Sequence, residues 1–276
     1  RVGPPLIQGY RDLAKLFVKE TIHAGATSPI FWLAPAVSLG ATVVAAAAFP
    51  AILARPMLST GDLLTAVYLL ALGRFFVALA GLDAASAFGG LGSSRDMAIA
   101  SLAEPVAMVC ILVVAAGVGA PTDGAALATA GQGLSQLAPW RLLAAAAFFM
   151  VVLAECARVP VDNPATHLEL TMVHEAMLLE HTGPELALLT LGAQLKQTVL
   201  LALFAALFFP IGMAAAPGPG AVALAAVVLV AKLALLAALI ALVESTIAKL
   251  RLFRVPDFLG SAFGLALLAF IAREAF

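Results

Sequence analysis

The sequence predicts an all-α fold, a polytopic bundle of transmembrane helices, and three observations point to it. The 276 residues are 63% hydrophobic and only 11% charged, where soluble domains average about 45–50% and about 25%. Mean hydropathy is +1.07. The apolar runs are long and rich in Ala and Leu, without strict alternation. That favours helices over the closed barrel, the other architecture that satisfies its backbone in lipid. The formal net charge of −1 gives no footing for a nucleic-acid partner.

The first predicted element, Pro4–His23, places Leu6, Tyr10, Leu13 and Phe17 on one helix face and Arg11, Asp12, Lys15 and Lys19 on the other. This is the pattern of an amphipathic helix lying in the membrane interface or docked on a partner. Seven spans follow, since about 20 apolar residues cross a hydrocarbon core roughly 30 Å thick. They run near Ser28–Ala54, Asp62–Leu82, Asp96–Val118, Pro139–Ala157, Glu185–Pro210, Gly220–Val243 and Pro256–Ala275. Gly89–Gly92, Pro121–Gly124 and Pro217–Gly220 read as punctuation between them. No internal repeat stands out, so residues 1–276 are expected to form one membrane domain. The sequence begins at Arg1 rather than Met, so a further N-terminal segment is expected.

Lys and Arg set the orientation. The end holding the N-terminus collects Arg1, Arg11, Lys15, Lys19, Arg95, Arg158, Lys249, Arg251 and Arg254. The other end has Arg55, Arg141 and Arg273. The positive-inside rule then places the N-terminal end in the cytoplasm. Cys110 and Cys156 are the only cysteines. Without a CxxC pair this chain cannot by itself hold a four-thiolate iron–sulfur cluster or a structural zinc. Both cysteines are expected to pack as small hydrophobes.

Four ionisable residues fall inside predicted spans: Arg74, Glu104, Lys196 and Lys232. Each costs about 2.5–3.5 kcal/mol at a helix centre on insertion scales, and such residues usually line ion or proton paths. The alternatives are a Lys–Glu pair that only fixes packing, and an Arg74 that snorkels to the interface. Gln194 and Gln197 flank Lys196 and can hold water beside it. Pro105, next to Glu104, frees a backbone carbonyl. Glu244, at a helix end, is either a further relay group or a solvated carboxylate.

The stretch after the fourth span is acidic. Glu155, Asp162, Glu169, Glu175, Glu180 and Glu185 face only Arg158. Glu155 and Arg158, three apart, are placed to pair on a helix. Asp162-Asn163-Pro164 reads as a turn, and Thr166-x-x-Glu169 as a capping box opening a short helix that Thr182-Gly183-Pro184 ends. On that helix His167, His174 and His181 share one face. Their spacing of seven, and the missing second His of HExxH, argue against a metal site. The acidic loop is expected to be a proton inlet, or a solvated or partner-covered surface.

Three blocks carry a family resemblance. Arg1-Val-Gly-Pro-Pro5 with Gln8, Asp12, Lys15, Lys19 and Glu20 resembles the opening signature of the complex I membrane subunit that anchors the peripheral arm, its subunit 1 or H type. Gly81-Leu-Asp83 with Ser86, Gly92, Arg95 and Glu104 resembles that family's segment running into a helix with an intramembrane Glu. Ala154-Glu155 with Arg158-Val-Pro160-Val-Asp162 and Glu169 resembles its loop after the fifth helix. The blocks stand in family order, and the similarity spans essentially the whole chain. Two departures select a branch. Ala165 and His167 stand where complex I carries acids. The run Pro160–Glu180 is similar to that of membrane-bound group 4 nickel–iron hydrogenases, the branch of formate hydrogenlyase and hydrogenase-4.

The resemblance implies eight spans, one of them ahead of Arg1, in a prokaryotic inner membrane. It implies a subunit of an oxidoreductase complex that carries no catalytic residue, metal or cofactor of its own. Iron–sulfur clusters and the nickel–iron centre would lie in a small and a large partner subunit on the cytoplasmic side, with antiporter-like subunits beside it in the membrane. Glu104, Lys196 and Lys232 are then the expected intramembrane relay, and Glu155, Asp162, Glu169, Glu175 and Glu180 the inlet. Arg74, Asp83, Arg95 and Arg158 would tune it. Arg1, Gln8, Asp12, Lys15, Lys19 and Glu20 would dock partners. The rival readings are a quinone-chamber subunit of NADH:quinone oxidoreductase and a passive anchor without an ion path.

Overall fold

A computed structural model describes residues 5, 7–22, 25, 27–57, 62–124, 127, 138–163 and 172–275. The described elements are helical: α1 Gln8–Val18, α2 Pro29–Ala47, α3 Leu63–Asp83, α4 Ala87–Val118, α5 Pro139–Glu155, α6 His174–Leu178, α7 Gly183–Phe208, α8 Pro219–Thr246 and α9 Val255–Ala275, with a 3₁₀ turn at Leu252–Arg254. Local chemistry sets many of their starts. Ser28, Asp62 and Ser86 cap α2, α3 and α4, each side chain accepting an amide N–H of the first turn. A proline stands in the first turn of α2, α5, α7 and α8, where its missing N–H costs no hydrogen bond. Gly119, at φ 68°, ends α4 in the left-handed region, which a glycine enters without steric penalty.

Six of these helices are long and apolar enough to cross a membrane. Helix α5, at 17 residues, is shorter, about 26 Å at 1.5 Å per residue. It crosses nonetheless, packed among α4, α7 and α9. Its start touches the Gly117 and Leu207 end of the bundle and its last residue is Glu155. The core along it is dense: Phe148, Phe204 and Phe208 stack with ring centroids 5.1–6.3 Å apart. Helices α2 and α3 pack closely because Gly73 faces the Ser38 backbone. A Cβ there would lie 3.3 Å from both the Cα and the carbonyl oxygen of Ser38, the small-residue contact that replaces hydrophobic drive inside lipid.

The described chain ends sort onto two sides. One side gathers α1, α6, the turn at 156–163 and the α8–α9 loop, tied by Lys249 to Asp162 and by the amide of Leu250 to the carbonyl of Pro160. The other gathers Leu53 against Ala214 and Asp62 against Asp123.

Several expectations change. The third span starts at Ala87, so the Gly89–Gly92 cluster lies inside α4 rather than between helices. The first ends at Ala47 rather than Ala54. In α1 the predicted apolar face is only partly used: Leu13 is buried, while Tyr10 and Phe17 stay exposed. Thr166, His167 and Glu169 lie outside the described residues. The described part of that predicted helix is the five-residue α6, and the chain turns at Leu179 and Glu180. His181 therefore leaves the shared histidine face and stacks on Phe31 at 3.9 Å, 3.4 Å from Glu185. Thr182-Gly183-Pro184 begins α7.

Candidate functional site

Four charged side chains from four helices meet inside the bundle. Arg74 of α3 is 8% exposed and grips Glu155 at the end of α5 with both terminal nitrogens, Nη1 to Oε1 at 2.9 Å and Nη2 to Oε2 at 2.7 Å. Its Nε lies 3.4 Å from Oδ2 of Asp96 on α4. Lys196 of α7 reaches the same Glu155 Oε2 at 2.9 Å. Two cations thus face two carboxylates. A planar guanidinium gripping a carboxylate in fork geometry is the strong form of such a bond, and Arg74 does not snorkel. The expected Glu155–Arg158 pair does not form. Helix α5 ends at Glu155 and Ala157 turns the chain at φ 49°, so helical three-residue spacing no longer applies. Arg158 instead donates to Gln197 at 2.7 Å and pairs with Glu244 at 3.4 Å.

The cluster borders three adjoining cavities. A vestibule of about 170 Å³ is lined by Arg158, Asp162, His174, Glu175, Gln194 and Gln197 among others. An inner cavity of about 70 Å³ is lined by Ser38, Arg74, Asp96, Glu155, His174 and Lys196 among others. A smaller one of about 20 Å³ has Glu104, Glu155, Leu70 and Phe148 on its wall. A water needs about 10–15 Å³ measured this way, so the smallest admits one and the others several. Glu104 makes no hydrogen bond or ion pair with a described residue, and it shares its cavity with Glu155.

Second contacts hold this end in shape. Asp162 is buried. Its carboxylate accepts from Lys249 Nζ at 2.6 Å and from the backbone amides of Asn163 and His174 at 2.8 and 3.3 Å, so it is a structural node on the vestibule wall. Arg95 donates to the carbonyl of Met172 at 3.0 Å, just ahead of α6. Gly92 lets α6 seat against α4: a Cβ there would lie 2.8 Å from the Val173 carbonyl oxygen and 2.9 Å from the Ala176 Cβ.

A family model described as NADH dehydrogenase matches residues 1–273. The chain belongs to the NADH dehydrogenase subunit 1 family. Among its relatives, formate hydrogenlyase subunit 4 of Escherichia coli (strain K12) is 34% identical over 277 residues, covering 100% of this chain and 89% of that protein. Hydrogenase-4 component C of the same organism is 35% identical over 273 residues, covering 98% and 85%. An H-type membrane subunit of the NADH-quinone oxidoreductase of Geobacter sulfurreducens is 30% identical over 212 residues, covering 72% and 63%. The structure of the membrane-bound sulfane sulfur reductase, an archaeal respiratory membrane complex, has a chain of the same fold. The TM-score is 0.83 at 20% identity, over 99% of this chain and 88% of that one. This family member is thus a multi-pass membrane protein whose relatives are subunits of multi-subunit membrane complexes.

The remaining expected residues fall elsewhere. Lys232 lies apart from the cluster, donating to the carbonyls of Phe209 and Ile211 at 2.6 and 2.5 Å. Asp83 accepts from the Ser28 amide at 2.7 Å, joining the end of α3 to the start of α2. Gln8 donates to Asp12 at 2.8 Å, and Lys15, Lys19 and Glu20 are exposed. Glu180 is half-buried beyond α6. Arg1 and Glu169 lie outside the described residues. Sequence reasoning misses Asp96, Arg141 and His174 as site or anchoring residues. The signal for Asp96 is its place eight residues before Glu104, two helical turns away on one face.

Proposed function

We propose that this chain is the membrane subunit of a group 4 hydrogenase, formate hydrogenlyase-like complex, and that it couples the redox reaction of partner subunits to proton (or sodium) movement. The observation that carries this reading is the charged cluster standing between the polar vestibule and the cavity of Glu104. Protons would pass from the vestibule to Glu155 and Lys196, and from there to Glu104. Salt-bridged acids and bases can exchange protons when one partner's field changes, because the stability of each charge depends on the other. The vestibule end, with α1, α6 and the 156–163 turn, would lie in the cytoplasm against the iron–sulfur small subunit and the large hydrogenase subunit. Antiporter-like subunits would sit beside it in a prokaryotic inner membrane. The redox centres, iron–sulfur clusters and nickel–iron, would all belong to those partners.

Glu104→Gln in the assembled complex tests the reading. Gln keeps the size of Glu104 and removes the transferable proton. In reconstituted vesicles driven by reduced methyl viologen, hydrogen evolution should persist while coupled proton transfer slows about a hundredfold. A sodium-free and a sodium-loaded arm separates the two ions. Unchanged pumping in Glu104→Gln would overturn the proposal.

A further inference from the structure

We infer that His174 is the proton-transfer residue joining the vestibule to the charged cavity, an inference that rests on the proton-coupling reading above. The geometry carries it. His174 lines both cavities, as do only Cys156, Ala157 and Ala193 among the residues on their walls, and it alone of those four carries a group that takes up and gives up protons near neutral pH. Its Nε2 is buried and has no hydrogen-bond partner among the described residues. Its backbone is fixed: the amide N–H donates to Asp162 at 3.3 Å, Arg95 holds the carbonyl of Met172 two residues ahead, and Gly92 lets α6 lie against α4.

The groups around the ring bracket it with both signs. Burial lowers the affinity of the imidazole for a proton. Asp96 on α4 and Glu175 on α6 raise it, and Lys196 on α7 and Arg74 on α3 lower it again. A neutral imidazole is therefore the resting form at neutral pH. It takes one proton from the vestibule and releases one into the inner cavity, toward Glu155, and it ends neutral, so charge balances with no other reactant. Because burial sets its midpoint below the ordinary histidine value of 6.5, the protonated fraction falls about tenfold for each pH unit above that midpoint. Proton delivery should then slow as pH rises from about 6 to about 8, across the range where an imidazole changes charge.

The test uses the intact complex reconstituted into vesicles and driven by reduced methyl viologen, with proton movement and hydrogen evolution read together over that same pH range. In His174→Gln the protons moved per hydrogen evolved should fall about a hundredfold, and the pH slope should flatten. In His174→Ala, added imidazole should restore both, since the vestibule of about 170 Å³ has room for it and a merely structural histidine gives no such rescue. If His174→Gln keeps the wild-type ratio and slope while Glu104→Gln uncouples, His174 is not the transfer group and the coupling reading survives. If Glu104→Gln also pumps normally, the reading beneath it falls first. If His174→Gln fails to assemble, the absence of imidazole rescue in His174→Ala overturns the inference.

Discussion

Arg74 holds two carboxylates from two other helices with one guanidinium, which explains why a cation is kept at that depth. Breaking a buried pair by removing one partner costs about 3–5 kcal/mol, because the partner charge stays behind. Arg74→Leu leaves Glu155 and Asp96 with Lys196 alone, so the purified complex should lose thermal stability by about that amount. An Arg74→Leu complex that melts with the wild type would remove the cluster's structural role. Arg74→Lys should recover only part of the loss, since an ammonium is a point charge without the fork. At this scale the sequence marks the chemistry well and the partners poorly. Arg74, Glu104 and Lys196 stand out because a charge is rare in an apolar run. Which acid answers which base depends on helix packing, and Glu155 meets Arg74 and Lys196 instead of its chain neighbour Arg158. The spacing of His174 from other histidines bears on metal binding and says nothing about cavities.

Among the elements, α7 shows how a membrane helix ends. Its last carbonyls lack intrahelical donors. Arg141 of α5 donates to the Leu207 carbonyl at 2.9 Å, and Lys232 of α8 donates to those of Phe209 and Ile211. Two cations at a helix C-terminus also meet the negative end of its dipole. Lys232 therefore acts as an anchor of α7 in this geometry, although its depth in a span alone suggests a relay. Lys232→Met should lower stability by about 1.5–3 kcal/mol, the range for hydrogen bonds to a charged group, while the ratio of protons to hydrogen stays at the wild-type value. Thermal unfolding and vesicle proton uptake measure the two sides, and a collapsed ratio would return Lys232 to the path. The long spans are legible because hydropathy alone reveals them. The Gly89–Gly92 cluster is not, because glycine breaks helices in water but serves close helix packing in lipid, here beside α6.

Over the whole molecule, the helices divide the basic residues unequally. Arg11, Lys15, Lys19, Arg95, Arg158, Lys249, Arg251 and Arg254 lie at the end that carries the vestibule, joined in the sequence count by Arg1. Arg55, Arg141 and Arg273 lie at the other. The connectivity supports this division independently of charge, since Lys249 ties to Asp162 and Arg158 to Glu244 at one end, while Leu53 meets Ala214 at the other. Cytoplasmic loops carry the excess of Lys and Arg, so the vestibule end should face the cytoplasm, where a redox arm docks. Single cysteines at Ala248, in the α8–α9 loop, and at Ala216, in the α7–α8 loop, report the arrangement, because both positions are exposed. Background labelling is small, since Cys110 is buried and Cys156 half-buried. In right-side-out vesicles a membrane-impermeant maleimide should label Ala216→Cys at once and Ala248→Cys only after permeabilisation. The reverse pattern would put the vestibule outside, and the charged cluster would then open away from any cytoplasmic partner.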